Sequence, residues 1–457
     1  MSRLLRRLLP GSARLRPVTT RLGLGAAVLA MVAAVAATTP GSAQAATSEG
    51  LACDTSPTNS FTLTADDGYI STPDGNSIYT WSYADEAQRS FQFPGPVLCV
   101  DSGAPVTVVL HNHLPEATSI IFPGQRAVRA DGRPAAPQFA TDAQGDPTTT
   151  MTSMVQSADA LSGATPGEVT YTFTAGSPGT YLYKSGTDAD KQDQMGLYGA
   201  LIVRPAGHAG QLTGRGDSAF DPAHEYLFLL SEVDPDLHLA VERHQAVDWA
   251  GYRARYFLIN GRSMPDTLAP NNAPWLPNQP YGAMVHIKPY DPARPVENAI
   301  RYLNAGTHNY PFHPHGSDER VVTTDGQALQ GAGGEDLSYS KYDLDVAPGQ
   351  SLDVVFHWQD AEGWTIGANG QPTHQIPTQI PAITDQLLVG SDTWFSQSPY
   401  LGQKNAVPTY ITDNNACGEY YHIAHSHALQ EATNYGATFG GMMTLYRIDP
   451  PAGCPGN

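Results

Sequence analysis

Apolar residues fall in short runs along the chain, some alternating with polar ones and some continuous. Val106–Leu110 (VTVVL), Val169–Thr174 (VTYTFT), Tyr226–Leu230 (YLFLL), Val285–Lys288 and Leu352–Phe356 read as strands of four to six residues. No long stretch keeps a 3.6-residue period. Glycine (44) and proline (37) are scattered between the runs, as many short strands joined by turns require. The pattern predicts an all-β protein.

One run stands apart. Leu22–Ala37 is continuously apolar over 16 residues, short for a membrane span of about 20. Six arginines and no acids precede its end, and Ala43-Gln44-Ala45 follows as an A-x-A pattern. Residues 1–45 therefore read as an export signal cleaved near Ala45, with a secreted mature chain. Arg6-Arg7 leaves both the general and the twin-arginine routes open.

The strand pattern occurs twice. PGEVTYTF (Pro166–Phe173), GTYLYKSGT (Gly179–Thr187) and GLYGALIVRP (Gly196–Pro205) are matched by PGQSLDVVF (Pro348–Phe356), GEYYHIAHSH (Gly418–His427) and GGMMTLYRI (Gly440–Ile448). Upstream, Leu110–Gly124 parallels Tyr302–Gly316. A duplicated β-sandwich is expected, with copies at 46–205 and 224–457 joined by a glycine-rich, polar linker at 206–223. The linker holds Arg215-Gly216-Asp217-Ser218, a tetrapeptide like an integrin-binding motif that its composition produces by chance. Gly331–Ser338 and Ala361–Pro381 read as surface loops of the second copy.

Charge narrows the partners. The chain carries −19, and without the six signal arginines the remainder carries −25. Such a surface repels phosphate backbones, which argues against nucleic acid. Four cysteines, Cys53, Cys99, Cys417 and Cys454, suit an oxidising compartment. Three pairings are open; Cys53–Cys99 with Cys417–Cys454 is favoured because each bond would tie a terminus to the adjacent fold.

The candidate chemistry lies in the second copy. His313-Pro314-His315 and His425-Ser426-His427 each place imidazoles at i and i+2, which share one face of an extended strand. The repeat puts the two segments in equivalent places. If they converge, four imidazoles face one space, a donor set suited to copper or zinc rather than magnesium or calcium. The bland reading is four histidines hydrogen-bonded in a polar cleft. No phosphate-cradling glycine loop, no GxSxG elbow and no zinc-ribbon spacing is present.

FHPHGSDERVVTTDG, the HSH segment and the downstream GGMM resemble the C-terminal cupredoxin domain of multicopper oxidases. NHLPEATSIIFPG, GTYLYKSGT and GLYGALIV resemble the N-terminal domain, so the resemblance runs in family order over nearly the whole mature chain. It implies two tandem cupredoxin-like Greek-key sandwiches and a copper cofactor. The family's four HxH motifs hold a trinuclear copper cluster. The resemblance places the first on Ile121 and Pro123 and the second on Lys184 and Gly186, with no histidine in either. The third and fourth survive as His313, His315, His425 and His427.

The family's type 1 cysteine falls on Ser426, whose hydroxyl cannot replace a soft thiolate. Its two histidines fall on Tyr310 and Glu431; His308 and His422 stand nearby at the wrong spacing. Met442 or Met443 matches the axial methionine, and both read better as core residues. Lys184 could orient oxygen or an anion near a metal, although a surface lysine is the ordinary case. His111 and His113 could replace lost ligands only if their strand were shifted.

The resemblance thus implies a copper-dependent oxidoreductase with a reduced-nuclearity, type 2 or type 3-like centre. With no type 1 copper, a small-molecule or metal-ion substrate would have to bind the centre directly. The alternative is a non-catalytic copper-binding or structural secreted protein. Assembly into a homo-oligomer is open under either reading.

Overall fold

The computed structural model describes residues 49–291, 293, 295, 297–316, 318–358, 419–436 and 440–450. The export signal, the Ala361–Pro381 loop and the Cys417–Cys454 pairing lie outside the described residues. The remaining strand predictions all fall on strands.

In the first half, a six-stranded sheet runs in the order Ser77–Asp85, Ser60–Ser71, Pro105–Asn112, Gly167–Thr174, Arg126–Ala130, Arg133–Pro134. It packs on a three-stranded sheet of Gly179–Lys184, Tyr198–Arg204 and Leu98–Asp101. Leu63, Val108 and Tyr171 from one sheet meet Tyr183, Leu201 and Leu98 from the other. The second half repeats the plan. Its larger sheet is ordered Tyr256–Ile259, Glu225–Val233, Asn298–Asn304, Ser351–Phe356, Glu319–Thr324, Gln327–Ala328. Its smaller sheet is ordered Val285–Ile287, Met443–Ile448, Tyr420–Ser426, Tyr310–Pro314, Leu344–Val346. Phe228, Tyr302 and Val354 pack there against Phe312, Ala424 and Tyr446.

The duplication is visible in pairing direction. Ser60–Ser71 runs parallel to Pro105–Asn112, as Glu225–Val233 does to Asn298–Asn304. Asn112 and Asn304 each use the side-chain amide to tie down the loop that follows.

Glu225–Val233 and Tyr198–Arg204 are among the strands buried on both faces, which is why YLFLL and ALIV carry apolar side chains at successive positions. Leu182, Ala200 and Ile202 of the first small sheet pack on Leu227, Leu229 and Leu303 of the second large sheet. A largely buried charge network crosses the same contact. Arg301 pairs with Glu225 at 2.7 Å and Asp353 at 3.2 Å; Arg204 also holds Glu225, and Thr180 donates to Asp353 at 2.5 Å. Burial raises the cost of each charge, and their mutual attraction keeps Arg301 protonated and holds the Glu225 carboxyl below its usual range.

Residues 206–223 are not a loose tether. Leu212 and Phe220 are buried against Ala299, Val322 and Val355, and Arg215 is ion-paired to Asp217 within the RGDS tetrapeptide while Ser218 is buried. Cys53 and Cys99 are disulfide-bonded, as favoured. Among the described residues no helix is long and apolar enough to cross a membrane.

Candidate metal centre

The four histidines come together because two short strands pair in one register. Tyr310–Pro314 and Tyr420–Ser426 run antiparallel with His313 opposite His425. The pairing continues beyond the strand ends: His315 N donates to Ile423 O at 3.0 Å and His427 N to Pro311 O at 2.7 Å. Strand alternation turns Phe312, Pro314, Ala424 and Ser426 into the sandwich, and His313, His315, His425 and His427 to the opposite face.

On that face the rings cluster. Centroid separations are 4.7 Å for His313–His315, 5.2 Å for His313–His427, 5.3 Å for His315–His425 and 5.9 Å for His425–His427. His313 Nδ1 lies 2.5 Å from the Tyr342 carbonyl oxygen and His425 Nδ1 lies 2.7 Å from that of Ser426. A carbonyl only accepts, so both rings carry their proton on Nδ1 and present the Nε2 lone pair. This is the support that metal-ligating histidines use. His315 Nε2 and His425 Nε2 are 3.2 Å apart. Two nitrogens about 2.0 Å from one ion at a tetrahedral angle would be separated by about that distance. Burial, then the neighbouring histidines, push His315 down to about 4; burial also lowers His425. Neutral imidazoles suit a metal.

The donor set therefore fits copper. Among the described residues no three His, Cys, Asp or Glu side chains already converge on a single ion position, so the ready-made element is the His315–His425 pair. His313 and His427 stand beside it and would need to turn toward a shared ion.

The first copy has the same backbone and different side chains. Ile121 bridges Lys184, with Ile121 N donating to Lys184 O at 2.8 Å, where the second copy pairs His313 with His425. Lys184 is engaged by Asp193 at 2.6 Å, and burial pushes that carboxyl up to about 6. A Cβ on Gly186 would meet Ile121 Cγ2 at 2.7 Å, so the second position of that motif is closed by packing. His111 and His113 do not replace the lost ligands. His111 lies between Glu86 (3.0 Å) and Glu168 (3.4 Å), and His113 faces Asp66 at 3.9 Å.

The positions to which the resemblance assigns the type 1 ligands carry a buried polar network. Ser426 Oγ donates to Glu431 Oε2 at 2.5 Å, and Glu431 Oε1 lies 3.7 Å from His308 Nδ1. That carboxylate raises the His308 pKa. Tyr310 donates to Glu232 Oε2. Met442 is fully buried and Met443 nearly so, at the start of the last strand, in keeping with core roles. His422 is buried against Gly316, off the histidine face, and burial lowers it to about 3.

The first copy repeats this network with neutral groups. Ser185 Oγ donates to Gln192 Oε1 at 2.6 Å, and Thr118 donates to the same oxygen at 2.7 Å. The backbone agrees: Leu197 N donates to Gln192 O as Met442 N does to Glu431 O. Sequence reasoning had not singled out Glu232, Gln192 or the Tyr342 carbonyl. The shared serine of KSG and HSH was the available signal for the Gln192 and Glu431 pair.

A duplicated sandwich with copper-type donors on the second copy's small sheet defines a cupredoxin-like protein. Residues 84–160 match the family model described as multicopper oxidase. The structure superposes on a blue copper oxidase from Nitrosomonas europaea with a TM-score of 0.53 at 18% identity, covering 86% of each chain. It superposes on the multicopper oxidase mgLAC with a TM-score of 0.52 at 17% identity, covering 87% of each chain. No curated protein matches the sequence. The matched segment and the fold make this chain similar to multicopper oxidases, with a cupredoxin-like architecture.

Proposed function

We propose that the chain is a secreted copper-dependent oxidoreductase of reduced nuclearity, with copper held by His313, His315, His425 and His427 and no type 1 copper. The two copies, 46–205 and 224–457, divide the labour: the first supports and the second carries the centre. The observation that carries this reading is the contrast between equivalent bridges, His313 opposite His425 in one copy and Ile121 opposite Lys184 in the other. The anchored Nδ1 atoms of His313 and His425 support metal binding over a hydrogen-bonded cleft. Bound copper would supply one-electron redox chemistry, oxidising a small-molecule or metal-ion donor at the expense of oxygen. The protein's own part is to hold the His313 and His425 rings oriented and to leave the face open, His427 being exposed, for a donor to approach.

The test is oxygen uptake by the copper-loaded protein with phenols and reduced metal ions, beside His425→Ala. Turnover lost in the variant is expected. A copper-replete protein that turns over none of these donors would instead favour the second reading, copper binding without catalysis. That reading draws on the buried Ser426–Glu431 network standing where the family's electron inlet lies.

A further inference from the structure

The type 1 positions of this chain hold Ser426, Glu431 and Tyr310. A hydroxyl and a carboxylate do not exchange electrons at biological potentials; a phenol does, when a base takes its proton. Tyr310 is fully buried, and its hydroxyl donates to Glu232 Oε2. Glu232 is itself buried and accepts from Thr307 N at 2.8 Å, Thr307 Oγ1 at 2.7 Å and Gln194 Nε2 at 3.2 Å, while the single Tyr252 hydroxyl proton stands between Glu232 Oε1 at 3.1 Å and Gln194 Oε1 at 2.9 Å. Two phenols therefore share one carboxylate, Tyr310 on Oε2 and Tyr252 on Oε1. Tyr252 is only partly buried, so the pair leads from the surface inward. Tyr310 also lies three positions before His313 on the same strand, about 10 Å of extended chain. A Cβ on Gly306 would fall on the Glu232 carboxylate, so the site is built around that group.

We propose that Tyr252, Glu232 and Tyr310 form a proton-coupled electron relay that replaces the type 1 copper as the inlet to the histidine centre. The proposal rests on copper at the four histidines. With copper held there as the one-electron oxidant, Tyr310 would give up one electron toward it and pass its phenolic proton to Glu232. Tyr252 then returns an electron to the Tyr310 phenoxyl, which regains the proton from Glu232, while the Tyr252 proton moves to the same carboxylate. A one-electron donor at the surface, a phenol or a reduced metal ion, reduces Tyr252, and Glu232 returns the proton. Oxygen is the terminal oxidant. Donors too bulky to reach the imidazoles thereby become substrates, which removes the requirement for direct binding.

The test reduces the copper-loaded protein anaerobically and follows loss of the cupric electron paramagnetic resonance signal by rapid freezing. A bulky one-electron donor and small dithionite are compared in wild type, Tyr310→Phe and Tyr252→Phe, with copper content measured in each. The relay predicts about tenfold or greater slowing with the bulky donor in both variants, unchanged copper content, and unchanged reduction by dithionite. It also predicts a phenoxyl radical on photo-oxidation of the metal-free protein whose buried component is lost in Tyr310→Phe. Equal rates with the bulky donor, or a radical unaffected by Tyr310→Phe, would overturn the relay and leave the copper reading intact. If Tyr310→Phe fails to fold, an unaltered rate in Tyr252→Phe is enough to overturn it. Wild type that takes up no copper would sink both.

Discussion

Glu319→Gln should change how the protein's stability depends on pH. Glu319 is fully buried in the second sandwich, accepting from Tyr302 at 2.7 Å and Tyr446 at 2.8 Å beneath the strand that carries His313. Burial outweighs these hydrogen bonds and pushes its carboxyl from 4.5 up to about 7. An acid whose pKa is raised on folding favours the folded state below its unfolded pKa. That advantage drains away as pH rises from 4.5 to about 7, because the unfolded chain releases the proton first. At about 1.4 kcal/mol per pH unit, the loss amounts to roughly 3 kcal/mol. Glutamine can accept from one tyrosine and donate to the other without titrating. Urea denaturation of wild type and Glu319→Gln at pH 5 and pH 8 checks this. The variant should gain roughly 2 kcal/mol or more on wild type between the two pH values. Parallel pH dependences would mean that Glu319 is already ionised in the fold, and the burial argument would fail.

Other perturbations test the scaffold and the proposed inlet. Arg301→Met should destabilise the protein by about 3–5 kcal/mol in denaturant titrations, since Asp353 would remain buried with its charge uncompensated and Glu225 would keep only Arg204. Removing the Cys53–Cys99 bond by Cys53→Ser with Cys99→Ser frees a loop with a sequence separation of 46. The cost should be roughly 4 kcal/mol, read as a lowered denaturation midpoint in the same medium. Ser426→Cys should not create a blue centre, because Tyr310 and Glu431 still occupy the histidine positions. An intense thiolate-to-copper absorption in that variant would contradict the assignment of those two residues.

Much of the fold was legible because short strands leave a local signature. The duplication was legible because each copy keeps its glycines and apolar strands in the same order. The four histidines could be grouped because i and i+2 on a strand share a face, and the repeat placed the two strands together. The partners of Tyr310 and Ser426 were not legible. Glu232 lies 78 residues before Tyr310, and nothing in its local sequence distinguishes it from a surface acid. The fate of His111 and His113 was equally hidden, since Glu86, Glu168 and Asp66 meet them only through sheet pairing. Lys184 read as a surface residue; its Asp193 partner sits on the helix Ala189–Met195, too short to show a period.

The most direct test of the central claim is copper content per chain together with the electron paramagnetic resonance spectrum after loading and exhaustive dialysis. The account predicts retained copper with an ordinary type 2 signal, no blue absorption, and loss of the metal in His425→Ala. A protein that retains no copper, or one that shows a type 1 spectrum, would contradict it.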